Sequence, residues 1–410
     1  MLHTSKLIKG SLSSILDGKA IALCVTGSVA AVESVHIARK IMRHGAEVYC
    51  VMSAAGQKII HPHLLEWATG NPVVTELTGQ IEHIALAGKH DEHVDLILIA
   101  PCTANTIGKM ATGIDDTPIT TTVSSAIGAK IPVMVVPAMH ESMYEHPIVI
   151  ENIEKLRGIG VDIVAPRREE AKAKIPTTDT IVDRVIARLG PRDLEGKHFT
   201  ITAGPTRGWL DHVRFITNPS TGKMGIAIAK EILSRGGTIS LILGPVSEEL
   251  PEEAHIVTVD STQEMLEAVM EEINNREPTA FISTAAVLDY TPEVKEDRKR
   301  PSGEPYSIKL TPTLKIIDQV RKKYKDLFIV GFKVESGVSD DELESRARVK
   351  VKSGVCDMVI GNDAKRKGVA FGADTNEVLI VGKDDYRKIV PLSSKREIAV
   401  KIIDAVLEKL

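Results

Sequence analysis

The chain alternates short, almost wholly apolar runs with longer stretches of helical pattern. Residues 19–52 read as a strand (Ala20 to Val25), a small-residue turn (Thr26-Gly27-Ser28), a helix and a second strand (Ala46 to Met52). Residues 197–243 repeat that order: a strand at Phe199 to Thr202, a turn at Ala203-Gly204-Pro205-Thr206, a longer loop, a helix over Met224 to Arg235, and a strand at Thr238 to Leu243. The two helix ends align without a gap, Ile37 to Gly45 against Ile228 to Gly236, 191 residues apart. Each ends on a glycine ahead of the next strand, as the start of a βαβ unit does. Further strands are expected at Leu96 to Ala100, Val133 to Val136 and Asp162 to Ala165, then at His255 to Val259, Ala280 to Thr284, Phe328 to Phe332, Met358 to Gly361 and Val378 to Val381. The pattern predicts two doubly wound α/β domains in tandem. Their seam is expected near residue 190, in the Gly-Pro break and charged residues of Leu189 to Lys197.

Composition narrows the partners. Hydrophobic residues are 43%, charged residues 26% and aromatics only 3%, and the net charge is −4. Neither wholesale disorder nor a membrane protein fits, and nothing in the balance favours nucleic acid or anionic lipid. Any anion must be held by a local site. Cys24, Cys50, Cys102 and Cys356 are scattered without CxxC pairing, which suits reduced thiols in the cytoplasm and gives no zinc pattern. The first twenty residues read as a short helix or arm with no apolar run long enough for a signal peptide or membrane span.

Three loops at the carboxyl edge of the first predicted sheet carry chemistry: Thr26 to Ala31, Pro101 to Thr106 and Pro137 to His140. The first is not GxGxxG and no acidic residue ends the second strand, so a nicotinamide dinucleotide is disfavoured. Thr26, Ser28, Ser53, Thr103, Asn105 and Thr106 could instead hold a mononucleotide's phosphate and ribityl chain at helix N-termini, or serve as ordinary helix caps. In the second half, Ser220-Thr221-Gly222-Lys223 is placed like a phosphate loop but is not a Walker A motif: Thr217 stands at its first glycine and Met224 at its magnesium-binding hydroxyl.

The VTGSVAA turn, the I-E-H-I segment, VDLILIAPCTANTIGKMATGIDD and the P-A-M-H loop together resemble the flavin-containing phosphopantothenoylcysteine decarboxylases. That resemblance implies FMN held by Gly27, Ser28, Val29, Ser53, Thr103, Ala104, Asn105, Thr106 and Ala138, and His83 as catalytic base. His140 takes the substrate-binding place that the family gives to an asparagine. The family's substrate clamp carries an acid cysteine; the corresponding stretch here, Arg167 to Pro176, has none. Lys172 or Lys174 is the expected substitute, and a solvated loop is the plain alternative.

Ile201 to Arg207, Leu210 to Gly225, Ala285 to Tyr290, Gly331 to Ser336 and Gly361-Asn362-Asp363 resemble the phosphopantothenate–cysteine ligases nearly position for position. The order is that of the bifunctional enzymes of coenzyme A synthesis, so the implied fold is two tandem Rossmann-like domains: an FMN-binding decarboxylase over 1–190 and a CTP-dependent ligase over 191–410. Carried over residue by residue, Asn218 supports an acyl-cytidylate, and Asp289, Lys299, Thr313, Leu314, Lys315 and Ile316 meet the nucleotide. Phe332 packs on the base, and Arg348 with Lys352, on one helix face, binds triphosphate. Lys223, Lys299, Arg348 and Lys352 are expected around one site. Mg2+ is expected with CTP through phosphates and water, without a protein cage. The implied substrates are 4′-phosphopantothenate, cysteine and CTP, in a homo-oligomer. A ligase whose flavin domain is only regulatory is the alternative, and a nicotinamide-dependent dehydrogenase a more distant one.

Overall fold

The computed structural model describes residues 3–169, 172–299, 303, 306–369 and 372–410, apart from the side chains of 167–169 and 172–174. Two compact units divide between Gly190 and Pro191.

In the first unit, β1 (Ala20–Val25), β2 (Glu47–Met52), β3 (Val73–Val74), β4 (Leu96–Cys102), β5 (Val133–Pro137) and β6 (Asp162–Ile163) form a sheet in the order β3-β2-β1-β4-β5-β6. Its described pairings are all parallel. The apolar runs are buried on both faces because helices cover both. Ile21, Leu23 and Val25 face a core with α1 (Ser34–Arg43), beside α2 (Pro62–Thr69), and with the helix Thr178–Leu189. Ala22 and Cys24 face a second core, with α4 (Ala104–Thr112), α5 (Pro118–Ala129) and α7 (Pro147–Gly158). The short α3 (Glu82–Ala87) and α6 (Glu141–Tyr144) complete the chain order. Residues 167–176 are not a plain loop: β7 (Arg167–Glu169) and β8 (Lys172–Lys174) pair antiparallel. The N-terminal arm is a single 3-10 turn, Thr4–Ile8, and the helix expected after Ser28 likewise opens with a 3-10 turn, Val29–Glu33.

The second unit repeats the strand order and extends it. Following α8 (Thr178–Leu189) come β9 (His198–Ala203), β12 (Thr238–Leu243), β13 (His255–Thr258), β14 (Ala280–Ser283), β17 (Phe328–Glu335), β18 (Met358–Asp363), β19 (Thr375–Gly382) and β20 (Arg387–Ser394). They lie in the order β13-β12-β9-β14-β17-β18-β19-β20. The last two strands run antiparallel, a feature that the repeated βαβ pattern did not announce. Two small hairpins sit between: β10 (Arg207–Trp209) with β11 (Phe215–Thr217), and β15 (Tyr290–Pro292) with β16 (Leu310–Pro312). One core lies under α9 (Lys223–Ser234) and α13 (Lys395–Leu407), the other under α10 (Thr262–Arg276), α11 (Ile316–Lys323) and α12 (Asp340–Lys352). Phe199 in the first and Phe281 in the second are fully buried; truncating such a side chain to alanine costs about 3–5 kcal/mol.

Candidate functional sites

In the first unit the carboxyl ends of β1, β2, β4 and β5 surround a cavity of about 510 Å³, inside the roughly 300–1,000 Å³ of small-molecule sites. Hydrogen bonds between the loops fix its walls. The Thr26 hydroxyl donates to the Pro101 carbonyl (2.8 Å) and accepts the Thr103 N–H (3.0 Å). The Ala138 N–H donates to the Cys102 carbonyl (2.9 Å). Ser53 Oγ accepts the Gly56 N–H (3.0 Å). A Cβ on Gly27 would stand 2.4 Å from that of Ala55, so the segments after β1 and β2 can touch only with glycine there.

The structure brings Gly27, Ser28, Ser53, Thr103, Ala104, Asn105, Thr106 and Ala138 onto this one lining. Val29 is off it and 79% exposed, because the 3-10 turn points its side chain outward. Sequence reasoning missed Lys109 on α4, Thr117 at the cap of α5 and Thr120 in its first turn, all on the lining. Thr117 ahead of Pro118 is a helix-start signal that could have flagged them. Lys109 is held there by Asp116 at 2.6 Å. Hydroxyls and first-turn N–H groups of α4 suit a phosphate-bearing chain, and Ile119, Met139 and Met143 offer an apolar wall for a flat ring.

His83 does not line the cavity. It sits on α3, which packs against α5, and its Nδ1 is enclosed without a hydrogen-bond partner among the described residues. An enclosed imidazole nitrogen without a partner is costly unless a ligand or proton transfer uses it. His140 is exposed and caps α6: its Nδ1 accepts the Ser142 N–H (3.3 Å) and meets the Ser142 hydroxyl (2.9 Å). Neighbouring Met139 and Met143, rather than His140, reach the lining. Lys172 and Lys174 lie on β8, and their side chains are outside the described residues. All four cysteines are buried. Burial pushes the Cys102 thiol far up, Cys24 adding to it, and raises Cys50 to about 12 and Cys356 to about 11, so none is a ready acid.

The second unit has its own cavity, about 120 Å³, at the carboxyl ends of β9, β14, β17 and β18. Ser220, Thr221, Gly222 and Lys223 form one wall, and Phe332, Asn362, Asn376 and Lys395 the others. Helix α9 opens on Gly222 without a side-chain cap, which leaves first-turn N–H groups for an anion. A Cβ on Gly225 would stand 2.3 Å from Thr284 Oγ1 and 2.5 Å from the Ala203 Cβ, so this helix start is pressed onto two strand ends. Lys223 Nζ is paired with Asp374 (2.6 Å) and donates to the Gly372 carbonyl (3.2 Å). The bond to Asp374, more than desolvation opposes, raises its pKa.

Asn218 is not on this lining. Its amide donates to the carbonyls of Ala286 (3.0 Å) and Val287 (3.2 Å), which uses both N–H bonds and holds the Ala285-Ala286 loop in the cavity wall. Asp289 and Lys315 form an ion pair, and the Thr313 N–H donates to the Asp289 carbonyl (2.9 Å), so Asp289, Thr313, Leu314 and Lys315 do come together. Ile316, in contrast, is buried in the core as the first residue of α11. Lys299 is exposed, next to residues outside the description.

The expected cluster of four basic residues does not form. Helix α12 leads from the carboxyl end of β17 back to the start of β18, so Arg348 and Lys352, in its last turns, lie toward the amino edge, opposite the cavity. There Arg348 bonds Glu344 (2.8 Å) and the Asp385 carbonyl (3.4 Å) in the β19–β20 turn, and Glu344 also takes Arg387 (2.6 Å). The i, i+4 spacing fixed a shared helix face but not which edge of the sheet it neighbours.

Comparison with known proteins settles the lineage. The profile of the Flavoprotein family matches residues 9–190, and that of the DNA/pantothenate metabolism flavoprotein C-terminal domain matches 194–410. The coenzyme A biosynthesis bifunctional protein CoaBC of Thermococcus kodakarensis is 48% identical over 410 residues, the full length of both chains. The chain belongs to the CoaBC family. The CoaBC protein of Methanocaldococcus jannaschii is 36% identical, covering 99% of this chain and 98% of its own. A crystal structure of a CoaBC C-terminal domain aligns at 32% identity and a TM-score of 0.44, over 52% of this chain and 96% of that one. As a CoaBC protein, the chain is a bifunctional enzyme of coenzyme A biosynthesis with a decarboxylase part and a ligase part.

Proposed function

We propose that residues 191–410 join 4′-phosphopantothenate to cysteine with CTP and that residues 1–190 decarboxylate the product with FMN. The single observation that carries this reading is that each unit has its own cavity at the carboxyl edge of its sheet, with Gly27, Ser28, Ser53, Thr103 to Thr106 and Ala138 on the first and Ser220 to Lys223 with Phe332 on the second. Ser220 to Lys223 and the uncapped start of α9 receive phosphate, and Phe332 packs beside them. Asn218 works as a positioning residue, holding the Ala286 and Val287 carbonyls so that the loop leading to Asp289 keeps its path. Mg2+ accompanies CTP, carried on the nucleotide's own phosphates and water.

In the first unit, Ser28, Ser53, Thr103, Asn105 and Thr106 hold the cofactor's phosphate and ribityl chain, and Ile119, Ala138 and Met139 flank its ring. Bound there, FMN supplies reversible oxidation of the substrate's cysteinyl end, which makes loss of carbon dioxide easy. His83 moves the proton at its enclosed Nδ1, and Lys172 or Lys174 returns a proton in place of a cysteine. Val32 (54% exposed), Ile81 (54%) and Met143 (49%) leave apolar surface that a homo-oligomer would cover. No described helix is long and apolar enough to cross a membrane, and we place the enzyme in the cytoplasm.

The test is anaerobic addition of phosphopantothenoylcysteine to the purified yellow protein. Stoichiometric carbon dioxide supports catalysis by the first unit; a bleached flavin without carbon dioxide supports the regulatory alternative. A chelator should stop pyrophosphate release by the ligase and leave carbon dioxide release intact.

A further inference from the structure

Lys395 is the one lysine besides Lys223 on the described lining of the second cavity, and nothing in the sequence motifs drew attention to it. It is the first residue of α13, behind the Ser394 cap, and its backbone N–H is fixed to the Asp374 carbonyl at 3.0 Å. Two charged groups that could neutralise it are already engaged by Lys223: Asp374 at 2.6 Å and Glu248 at 3.8 Å. Among the described residues the Lys395 ammonium makes no hydrogen bond or ion pair, although it is half-buried. A part-desolvated cation without a partner is costly unless an anion completes its surroundings. The neighbouring cavity wall is the phosphate loop, with the polar side chains of Asn362 and Asn376 between.

We propose that Lys395 is a substrate-binding residue of the ligase, its ammonium taking a phosphoryl oxygen across the cavity from Ser220 to Lys223. This rests on the reading of that cavity as the ligase site. Burial first, and then repulsion from Lys223, push its pKa below the ordinary lysine value, while Asp374 and Glu248 oppose the shift. An arriving phosphate reverses the balance: it supplies the missing counter-charge to Lys395 and competes with Asp374 for Lys223. The shared chemistry is a phosphoryl dianion, and both phosphorylated substrates bring one.

The experiment compares Lys395→Met, Lys395→Arg and Lys223→Met in the full chain, with the thermal unfolding of each variant against the native protein as the check that the second unit is folded. KM is measured separately for CTP and for 4′-phosphopantothenate, with pantothenate as the acid lacking the phosphate. Lys395→Met should raise the KM of one of the phosphorylated substrates by about tenfold or more, and Lys395→Arg should recover most of it. A rise confined to CTP assigns Lys395 to the triphosphate. A rise for 4′-phosphopantothenate with no change for pantothenate assigns it to the acid's phosphate. Because an alkaline medium discharges this lysine early, the same KM should climb with pH in the native enzyme and stay flatter in Lys395→Arg. Unchanged KM values in Lys395→Met alongside a clear effect of Lys223→Met would overturn the proposal and leave the cavity reading intact. If neither variant changes either KM, the cavity is not the ligase site.

Discussion

The two cavities sit at equivalent places in two sheets of the same strand order, yet they are built on opposite plans. The first is wide and lined by hydroxyls, small residues and methionines, with Lys109 neutralised by Asp116. His83 is not on its lining. The second is narrow and charged, with Lys223 already satisfied by Asp374 and Lys395 left over. The difference follows from what lies between the first strand and the first helix. In the first unit only Thr26-Gly27-Ser28 separates β1 from the 3-10 turn at Val29. In the second, residues 204–222 intervene, long enough to carry a hairpin, Asn218 and a phosphate loop. A shared framework thus gives a hydroxyl-lined cavity in one case and a lysine-lined one in the other.

The sharpest way to break this comparison is His83→Asn. If chemistry in the first unit depends on a group standing off the cofactor wall, carbon dioxide release should fall by about two to four orders of magnitude, the usual contribution of a general acid or base. The flavin absorbance per chain should stay unchanged, because His83 is not on the lining, and pyrophosphate release by the ligase should be unaffected. A loss of bound flavin in this variant would show that the histidine belongs to the cradle instead.

A smaller but still large effect is expected for Asn218→Asp. The carboxylate would face the Ala286 and Val287 carbonyls, which now accept from the Asn218 amide, and three acceptors without a donor repel. Ligation should drop by about tenfold to a hundredfold, and carbon dioxide release should not change. Equal turnover in the variant and the native enzyme would remove the positioning role.

Much of this layout was legible in the chain. Ala20–Val25 and Thr238–Leu243 were read to the residue because strands covered on both faces are apolar throughout and end at glycine or small residues. Much of the first cavity's lining was legible for a related reason: Thr26 to Ser28, Ser53, Thr103 to Thr106 and Ala138 directly follow four such strands. The small hairpins were not. Tyr290–Pro292 and Leu310–Pro312 are three residues each, separated by a charged stretch, and carry no period long enough to register. Strand β20, Arg387–Ser394, alternates polar and half-buried positions at a sheet edge and lacks the continuous apolar run of a central strand. Since β20 delivers Lys395 to the cavity, missing the strand meant missing the lysine. Arg348 and Lys352 failed differently: their helical spacing was correct, but the direction in which α12 returns across the sheet is a property of the topology.

That last point yields the smallest expected effect. Arg348 binds Glu344 and the Asp385 carbonyl at the amino edge, and Glu344 remains partnered by Arg387 if Arg348 is removed. The hydrogen bonds from both arginines hold the Glu344 carboxyl below its ordinary pKa, so losing one leaves the charge still compensated. Arg348→Ala should therefore change the ligase KM for CTP by no more than about twofold, with a modest fall in melting temperature of the size expected from one partly exposed ion pair. A tenfold or greater rise in that KM would place Arg348 at the triphosphate after all and bring the two edges of the second sheet into one site, against the direction of α12.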